Sequence, residues 1–186
     1  MAEMPIVRRF SAKEWRVYRD LRLRALADSP DAFGRTLAEE ADRLDAEWAR
    51  RLASGVDSDT SLPILAEVQG EPIGLAWGSI DTSNLGVAVL TQMWVAPTHR
   101  GLGAGEVLLR AVIAWARRRN ASVLDLGVTC GDSPARRLYE HAGFKPIGAP
   151  QPLRSGSTLL AQSMRLELRA AAEQGHGADD AARRSS

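Results

Sequence analysis

The sequence predicts an α/β protein of the α+β kind, with a mixed, mostly antiparallel central sheet of about seven strands flanked by helices. Three observations carry this. Short apolar runs rich in branched residues, such as "LPILAEV", "PIGLAWGSI" and "VAVLTQMWV", alternate with longer stretches whose apolar residues recur at helical spacing. Three of the strand runs follow one another between residues 62 and 95 with no helix between them, as antiparallel neighbours do. One glycine-rich turn, "HRGLGAG" at 99–105, joins a strand to a helix and then to another strand, the crossover that parallel neighbours need.

Taken in order, "PIVRRF" at 5–10 reads as a short first strand, and Ser11 with Glu14 three residues on makes a capping box for the helix behind it. That helix carries Trp15, Tyr18, Leu21, Leu23 and Leu26 at near-helical spacing, and "DSP" at 28–30 stops it. Residues 31–55 read as a loop and a second helix ending near Gly55, and "VDSDTS" is a polar loop. "LPILAEVQG" and "PIGLAWGSI" form a hairpin turning at "GEP", and "VAVLTQMWV" is the next strand. The glycine segment opens a helix to Arg119, with Leu108, Leu109, Val112, Ile113 and Trp115 facing inward. "SVLDLGVT" is a strand, "SPARRLYEHAG" a short helix stopped by Gly143, and "FKPIG" with "STLLAQSMRLEL" a final strand pair. The domain is expected over 1–168. Residues 169–186, alanine, charge and glycine without aromatics, are expected to be a disordered tail.

Composition narrows the function classes. A chain that is 45% hydrophobic and 25% charged, with no apolar run long enough for a bilayer, reads as an ordinary soluble domain without membrane partners. "MAEMPIVRRF" lacks the apolar core of a secretory signal, so the expected location is the cytoplasm. One cysteine and no cluster at zinc-like spacing predict no metal. A formal charge of +1 gives no basis for nucleic acid as partner, and "ARRRN" at 116–120 reads as a solvated helix end.

Glycine costs a helix about 1 kcal/mol relative to alanine, so three glycines at a helix start ask what their bare backbone serves. Helix-start amides lack internal partners and carry partial positive charge, which suits a phosphate or pyrophosphate. Gly103 and Gly105 permit close approach, and Arg100 adds charge. A turn that merely reverses the chain is the plain alternative. An ATPase-type phosphate loop is excluded, because Gly105 is followed by Glu106 and Val107 rather than Lys and Ser or Thr. A dinucleotide fingerprint fails on glycine spacing and on its distance from the strand.

"MWVAPTHRGLGAG", with Arg-x-x-Gly-x-Gly on Arg100, Gly103 and Gly105, resembles the acetyl-CoA signature of the GNAT superfamily of N-acyltransferases. "VTCGDSPARRLYEHAGF" is similar to that superfamily's second motif, and the first helix pair with "DSPDAFG" resembles many members, so the likeness spans most of residues 5–168. The resemblance implies a splay between the fourth and fifth strands that takes the pantetheine arm near Trp94 and Val95. It puts the pyrophosphate of acetyl-CoA on the amides of Arg100, Gly101, Leu102, Gly103, Ala104 and Gly105. It also makes Tyr139 the general acid for the departing thiolate, and Val95 the backbone amide that meets the oxyanion. The implied reaction is transfer of an acetyl group to a primary amine of a small molecule, by a monomer or homodimer. A protein N-terminus or lysine as acceptor, and a non-catalytic coenzyme A binding module, are the alternatives.

The sequence departs from the pattern in two places. Many relatives carry a glutamate base on the fourth strand, yet "VAVLTQMWV" offers only Gln92, which can position a water but not take its proton. Glu39 and Glu40 are possible substitutes but read first as solvated surface acids, so no base is assigned. Asp132 stands where relatives often have an asparagine that contacts the coenzyme, and it is alternatively a cap for the helix ahead of Pro134. Cys130 reads as a small buried residue, and His99 and His141 as loop and helix-end residues. The acceptor side is expected to use Phe33, Gly34 and Thr36, with Trp77 in the core. "GAPQPLRSGST" is either an open loop for a polypeptide acceptor or simply flexible.

Overall fold

The computed structural model describes residues 4–168; the expected tail from Arg169 lies outside the described residues. Seven strands form one sheet: β1 (Ile6–Arg9), β2 (Ser61–Val68), β3 (Glu71–Ile80), β4 (Val87–Val95), β5 (Val123–Thr129), β6 (Lys145–Pro152) and β7 (Leu160–Glu167). Their spatial order is β1-β2-β3-β4-β5-β7-β6, and only β4 and β5 pair in parallel. The helices are α1 (Trp15–Asp28), α2 (Leu37–Ala41), α3 (Asp45–Asp57), α4 (Ala104–Arg118) and α5 (Pro134–His141). No helix among the described residues is long and apolar enough to cross a membrane.

Helices cover both faces of the sheet, so its central strands bury side chains in both directions. On β2, Ile64 and Ala66 pack under α4 with Leu108, Leu109, Val112 and Trp115, while Leu65 between them packs with Tyr18, Leu21 and Leu26 of α1 and Trp48 and Leu52 of α3. This explains why "LPILAEV" is continuously apolar rather than alternating.

Several expectations shift in detail. The capping box of Ser11 and Glu14 forms, but it opens a single 3-10 turn that runs on into α1. The single helix expected up to Gly55 is two helices, α2 and α3. Thr36 caps α2 in a second capping box with Glu39, and the chain breaks after Ala41 before α3 starts at Asp45. Gly55 lies within α3, and a Cβ there would come 2.3 Å from the Trp77 ring; close packing, not helix termination, explains that glycine. The first hairpin turns at Gln69 and Gly70, one residue before the expected "GEP". Both have positive φ (52° and 78°), as a two-residue turn between twisted strands requires. Ile113 is only half-buried, on the edge of the α4 face.

Candidate active site

Between β4 and α4 the chain makes one 3-10 turn at Pro97–His99, and then Gly101 and Gly103 take left-handed conformations (φ 80° and 84°) that L side chains rarely adopt. The first α4 bond runs from Val107 N–H to Gly103 O, 3.1 Å. Among the described residues, the amides from Gly101 through Glu106 make no hydrogen bond within the chain, and Gly103 has no side-chain cap. Six successive donors at the positive end of a 15-residue helix form an anion cradle. Gly105 faces a different constraint: a Cβ there would lie 3.3 Å from Leu138 Cδ2, which would have to give by a few tenths of an ångström.

Beside the cradle, β4 and β5 part. Their ladder runs only from Val87↔Val123 to Leu90↔Leu126, and Thr91–Val95 continue without β5. A bulge coincides with this, because β4 advances from Thr91 to Trp94 while β3 retreats only from Trp77 to Leu75; Gln92 sits in it with φ 55°. Ala96 N–H donates to Ile73 O at 2.7 Å, so strand alternation turns the Trp94 backbone to β3 and the Val95 backbone into the gap. Val95 O there accepts from Arg100 Nε at 3.0 Å.

The Trp94 side chain turns to the other core, where its indole Nε1 donates to Asp28 Oδ2 at 2.9 Å. The same oxygen accepts from Ser29 Oγ at 2.6 Å and from Arg100 Nη2. Hydrogen bonds from Ser29, then Trp94, then Arg100 hold the Asp28 carboxyl down at about 2. The segment after α1 is clasped across the gap: Thr129 Oγ1 of β5 donates to Asp31 O, and Arg154 Nη1 donates to Pro30 O and Phe33 O at 3.1 and 2.9 Å.

On the far wall, Ser133 caps α5 by accepting from Arg136 N–H, and Pro134 occupies the first turn. One and a half turns on, Tyr139 is buried, its ring 5.9 Å from that of Phe144, and among the described residues its hydroxyl makes no hydrogen bond. Burial pushes the phenol up to about 12, so it stays protonated at neutral pH.

These features enclose a cleft of about 1040 Å³. It brings together Phe33, Trp94, Val95, Arg100, Gly101, Gly103, Ala104, Gly105 and Tyr139. Leu102, Gly34, Thr36 and Asp132 lie outside its lining. Leu102 faces solvent, Gly34 packs near Leu153 O, and the Thr36 hydroxyl is spent on Glu39. Asp132 pairs with Arg137, and the cap expected of it is supplied by Ser133. Cys130 is exposed at the cleft rather than buried, because β5 has left the sheet's covered part where it ends. Glu39 is exposed as expected, and bonds from Thr36 draw its carboxyl below the usual range. Glu40, by contrast, is fully buried, held by Arg43 and Arg51. Asp28 is the participant that the sequence did not reveal; as part of "DSP" it looked like a helix stop, and nothing local announces partners 66 and 72 residues away.

The arrangement can seat a diphosphate on main-chain donors, pair an extended chain with a free strand edge, and offer a neutral phenol as proton donor. Among the described residues no group of His, Cys, Asp and Glu could hold a metal ion.

Residues 20–144 match the model of the Acetyltransferase (GNAT) family. Streptothricin acetyltransferase of Streptomyces lavendulae is 34% identical over 105 residues, covering 56% of this chain and 55% of that protein. A mycothiol acetyltransferase of Acidothermus cellulolyticus is 29% identical over 151 residues, 74% of this chain and 43% of that one. The chain thus spans about half the length of the curated relatives it matches. Among solved structures, an acetyltransferase from Salmonella typhimurium with its cofactor acetyl-CoA superposes with a TM-score of 0.73 at 20% identity, over 95% of this chain and 98% of that one. Spermidine N-acetyltransferase from Vibrio cholerae, in complex with CoA and spermine, gives 0.72 at 16% identity, over 90% and 97%. At such identities these structures support the fold alone. The family model covers about two thirds of the sequence, on the segment that carries the cradle, the strand gap and Tyr139, and the chain therefore belongs to the GNAT acetyltransferase family.

Proposed function

We propose that this protein is an N-acetyltransferase that moves an acetyl group from acetyl-CoA to the primary amine of a small molecule by direct attack. The observation that carries the reading is the union, in one cleft, of the amides of Gly101 and Gly103–Glu106, unpartnered among the described residues, a β4 edge free of β5 and a buried phenol. Acetyl-CoA supplies an activated acyl group and a thiolate leaving group. The amides of Gly101 to Glu106 hold its pyrophosphate, and the stretch of β4 free of β5, Thr91–Val95, borders the pantetheine arm. Val95 N–H meets the carbonyl oxygen as negative charge builds there. The Tyr139 hydroxyl gives its proton to the departing sulfur; a phenol is neutral at pH 7 with or without burial, so it carries the proton that this step needs. Arg100 is committed to Asp28 and Val95 O, so it orders the segment before the cradle and contributes charge at short range.

A small acceptor, rather than a lysine or chain terminus on a protein, is favoured by the Arg154 clasp. It fastens the loop after α1 to the turn between β6 and β7 and narrows the face where a polypeptide would lie.

Thiol release from acetyl-CoA across a panel of amines tests the proposal. Tyr139→Phe is expected to lower kcat by about a hundredfold or more while coenzyme affinity stays the same by calorimetry. Equal turnover in both proteins removes Tyr139 from the mechanism. Tight coenzyme binding with no turnover on any amine makes the protein a binding module instead.

A further inference from the structure

Where β4 and β5 part, the Gln92 side chain is fixed at one end and free at the other. Its Oε1 accepts from the hydroxyl of fully buried Tyr18 at 2.8 Å. Its Nε2 has no hydrogen-bond partner among the described residues and is not one of the buried unpartnered atoms, so it opens to the cleft that Gln92 lines. That nitrogen can only donate. The sense of the Tyr18 bond decides this, because an amide turned end for end would show the cleft its oxygen instead. A charge cluster behind Tyr18 sets the sense. Fully buried Glu40 accepts from Arg43 and Arg51, and buried Arg22 is a third guanidinium acting on the same carboxylate, so the cluster is positive on balance. Burial raises the Tyr18 pKa, and Arg51 and Arg22 oppose that rise from close by. Positive charge on that side draws the lone pairs of the phenol oxygen and turns its proton to Gln92.

The free amide has room in front of it. The ladder between β4 and β5 ends at Leu90↔Leu126, so Gly127 is the first β5 residue beyond it. Leu126 and Val128 pack on the α4 side of the sheet, and strand alternation therefore turns Gly127 toward the α1 side, the side to which Tyr18 holds Gln92. A Cβ at Gly127 would meet nothing within 4 Å. The hydroxyls of Ser29, Thr91 and Thr129, which also line the cleft, are spent on Asp28, Trp77 O and Asp31 O, whereas Gln92 Nε2 is not. A reacting amine must keep its lone pair for the acetyl carbon, so a donor here suits a second atom of the acceptor, an oxygen.

We propose that Gln92 is a specificity-determining residue, its amide donating to a carbonyl oxygen that the acceptor carries near its amine, with Tyr18 as the positioning residue behind it. This rests on the acetyltransferase reading above and narrows its substrate class to amino carbonyl compounds, against plain alkylamines and polyamines, which bring no such oxygen.

The full chain is assayed for thiol release with α-, β- and γ-amino carboxamides and with alkylamines of matching length, rates being expressed per unprotonated amine. The best-spaced carboxamide is expected to exceed its alkylamine by about threefold to tenfold in kcat/KM, the worth of one neutral hydrogen bond. Gln92→Leu is expected to bring that ratio toward one through KM. Gln92→Glu keeps the size and still accepts from Tyr18 but offers no donor once ionised, so its ratio is expected at one or below. Tyr18→Phe frees the amide to turn over and is expected to lower the ratio in part. Alkylamines turned over by the unaltered protein as well as every carboxamide would overturn the proposal, as would a ratio that survives Gln92→Glu. So would a Gln92→Leu protein slowed by the same factor on both classes, which marks Gln92 as structural only, or a Gln92→Glu protein faster on both alike, which marks a vacant base position. Should Gln92→Leu not fold, the ratio in the unaltered protein and in Gln92→Glu decides. Should no amine release thiol while acetyl-CoA binds, the acetyltransferase reading falls. The acceptor inference is then judged by calorimetry of the coenzyme-loaded protein: heat from carboxamides alone, lost in Gln92→Glu, sustains it, and any other pattern overturns it.

Discussion

Asp28, the last residue of α1, and Arg100, the residue before the glycine turn, meet as an ion pair at the cleft, 72 positions apart in sequence. The pair joins the end of α1 to the segment that leads into the anion cradle. Asp28 also accepts from the Trp94 indole, so one carboxylate fixes the end of α1, the β4 edge and the approach to the cradle together.

Asp28→Asn keeps the size of that hub and removes its charge. The expected loss is about 2 kcal/mol at neutral pH, in the range for hydrogen bonds to charged groups, measured by urea unfolding. The folded carboxyl sits at about 2, against roughly 4 in an unfolded chain. A depressed folded pKa gives stability that is complete above about pH 4 and lost as pH falls through about 2. The difference between the two proteins should therefore vanish over that window; a difference constant from pH 6 to about 2 would contradict the carboxylate's role.

Gly103→Ala separates conformation from space. A Cβ at Gly103 meets nothing within 4 Å, but φ is 84°. The substitution should cost about 1 to 2 kcal/mol through strain alone and weaken coenzyme binding, because relief of the strain tilts the cradle amides. Unchanged stability and affinity would show that the left-handed turn is dispensable. Gly105→Ala should act by another route, crowding Leu138 at 3.3 Å.

The chain has two tyrosines, and burial raises the pKa of both Tyr18 and Tyr139, the latter to about 12. Ultraviolet titration should show neither ionising at the ordinary value near 10 in the folded protein, and both doing so in denaturant. The folded state holds these protons more tightly, so stability falls as pH rises from about 10 toward 12. A tyrosine titrating normally in the folded protein would contradict their burial.

Tyr18 and Gln92 should respond unequally to truncation. Tyr18→Phe removes a buried hydroxyl together with its need for a partner, at about 0.5 to 1.5 kcal/mol. Gln92→Ala leaves the Tyr18 hydroxyl stranded at a position whose φ stays at 55°, and should cost about 1 to 3 kcal/mol. Equal costs in paired unfolding experiments would mean the bond is not formed in solution.

What the chain's own order of residues determined was mostly local. Apolar runs, capping pairs and glycine positions are set by neighbours within a few residues, so β4 at Val87–Val95 and the start of α4 behind Gly103 are legible in the sequence itself. The break between α2 and α3 is not, since "ADRLD" carries no proline or glycine and continues an amphipathic pattern. Thr36 and Asp132 were candidates by position, yet local partners consume them, Glu39 three residues on in a capping box and Arg137 five residues on in an ion pair. Tertiary structure alone decided the long-range assignments. Gln92 gained a strained backbone and a fixed amide from a bulge against β3, and from Tyr18 of α1. Asp28 and Glu40 took their meaning from partners that folding brought near. Hydrogen bonds and burial act over a few ångströms of space, whereas sequence periodicity reports only on residues one or two turns apart.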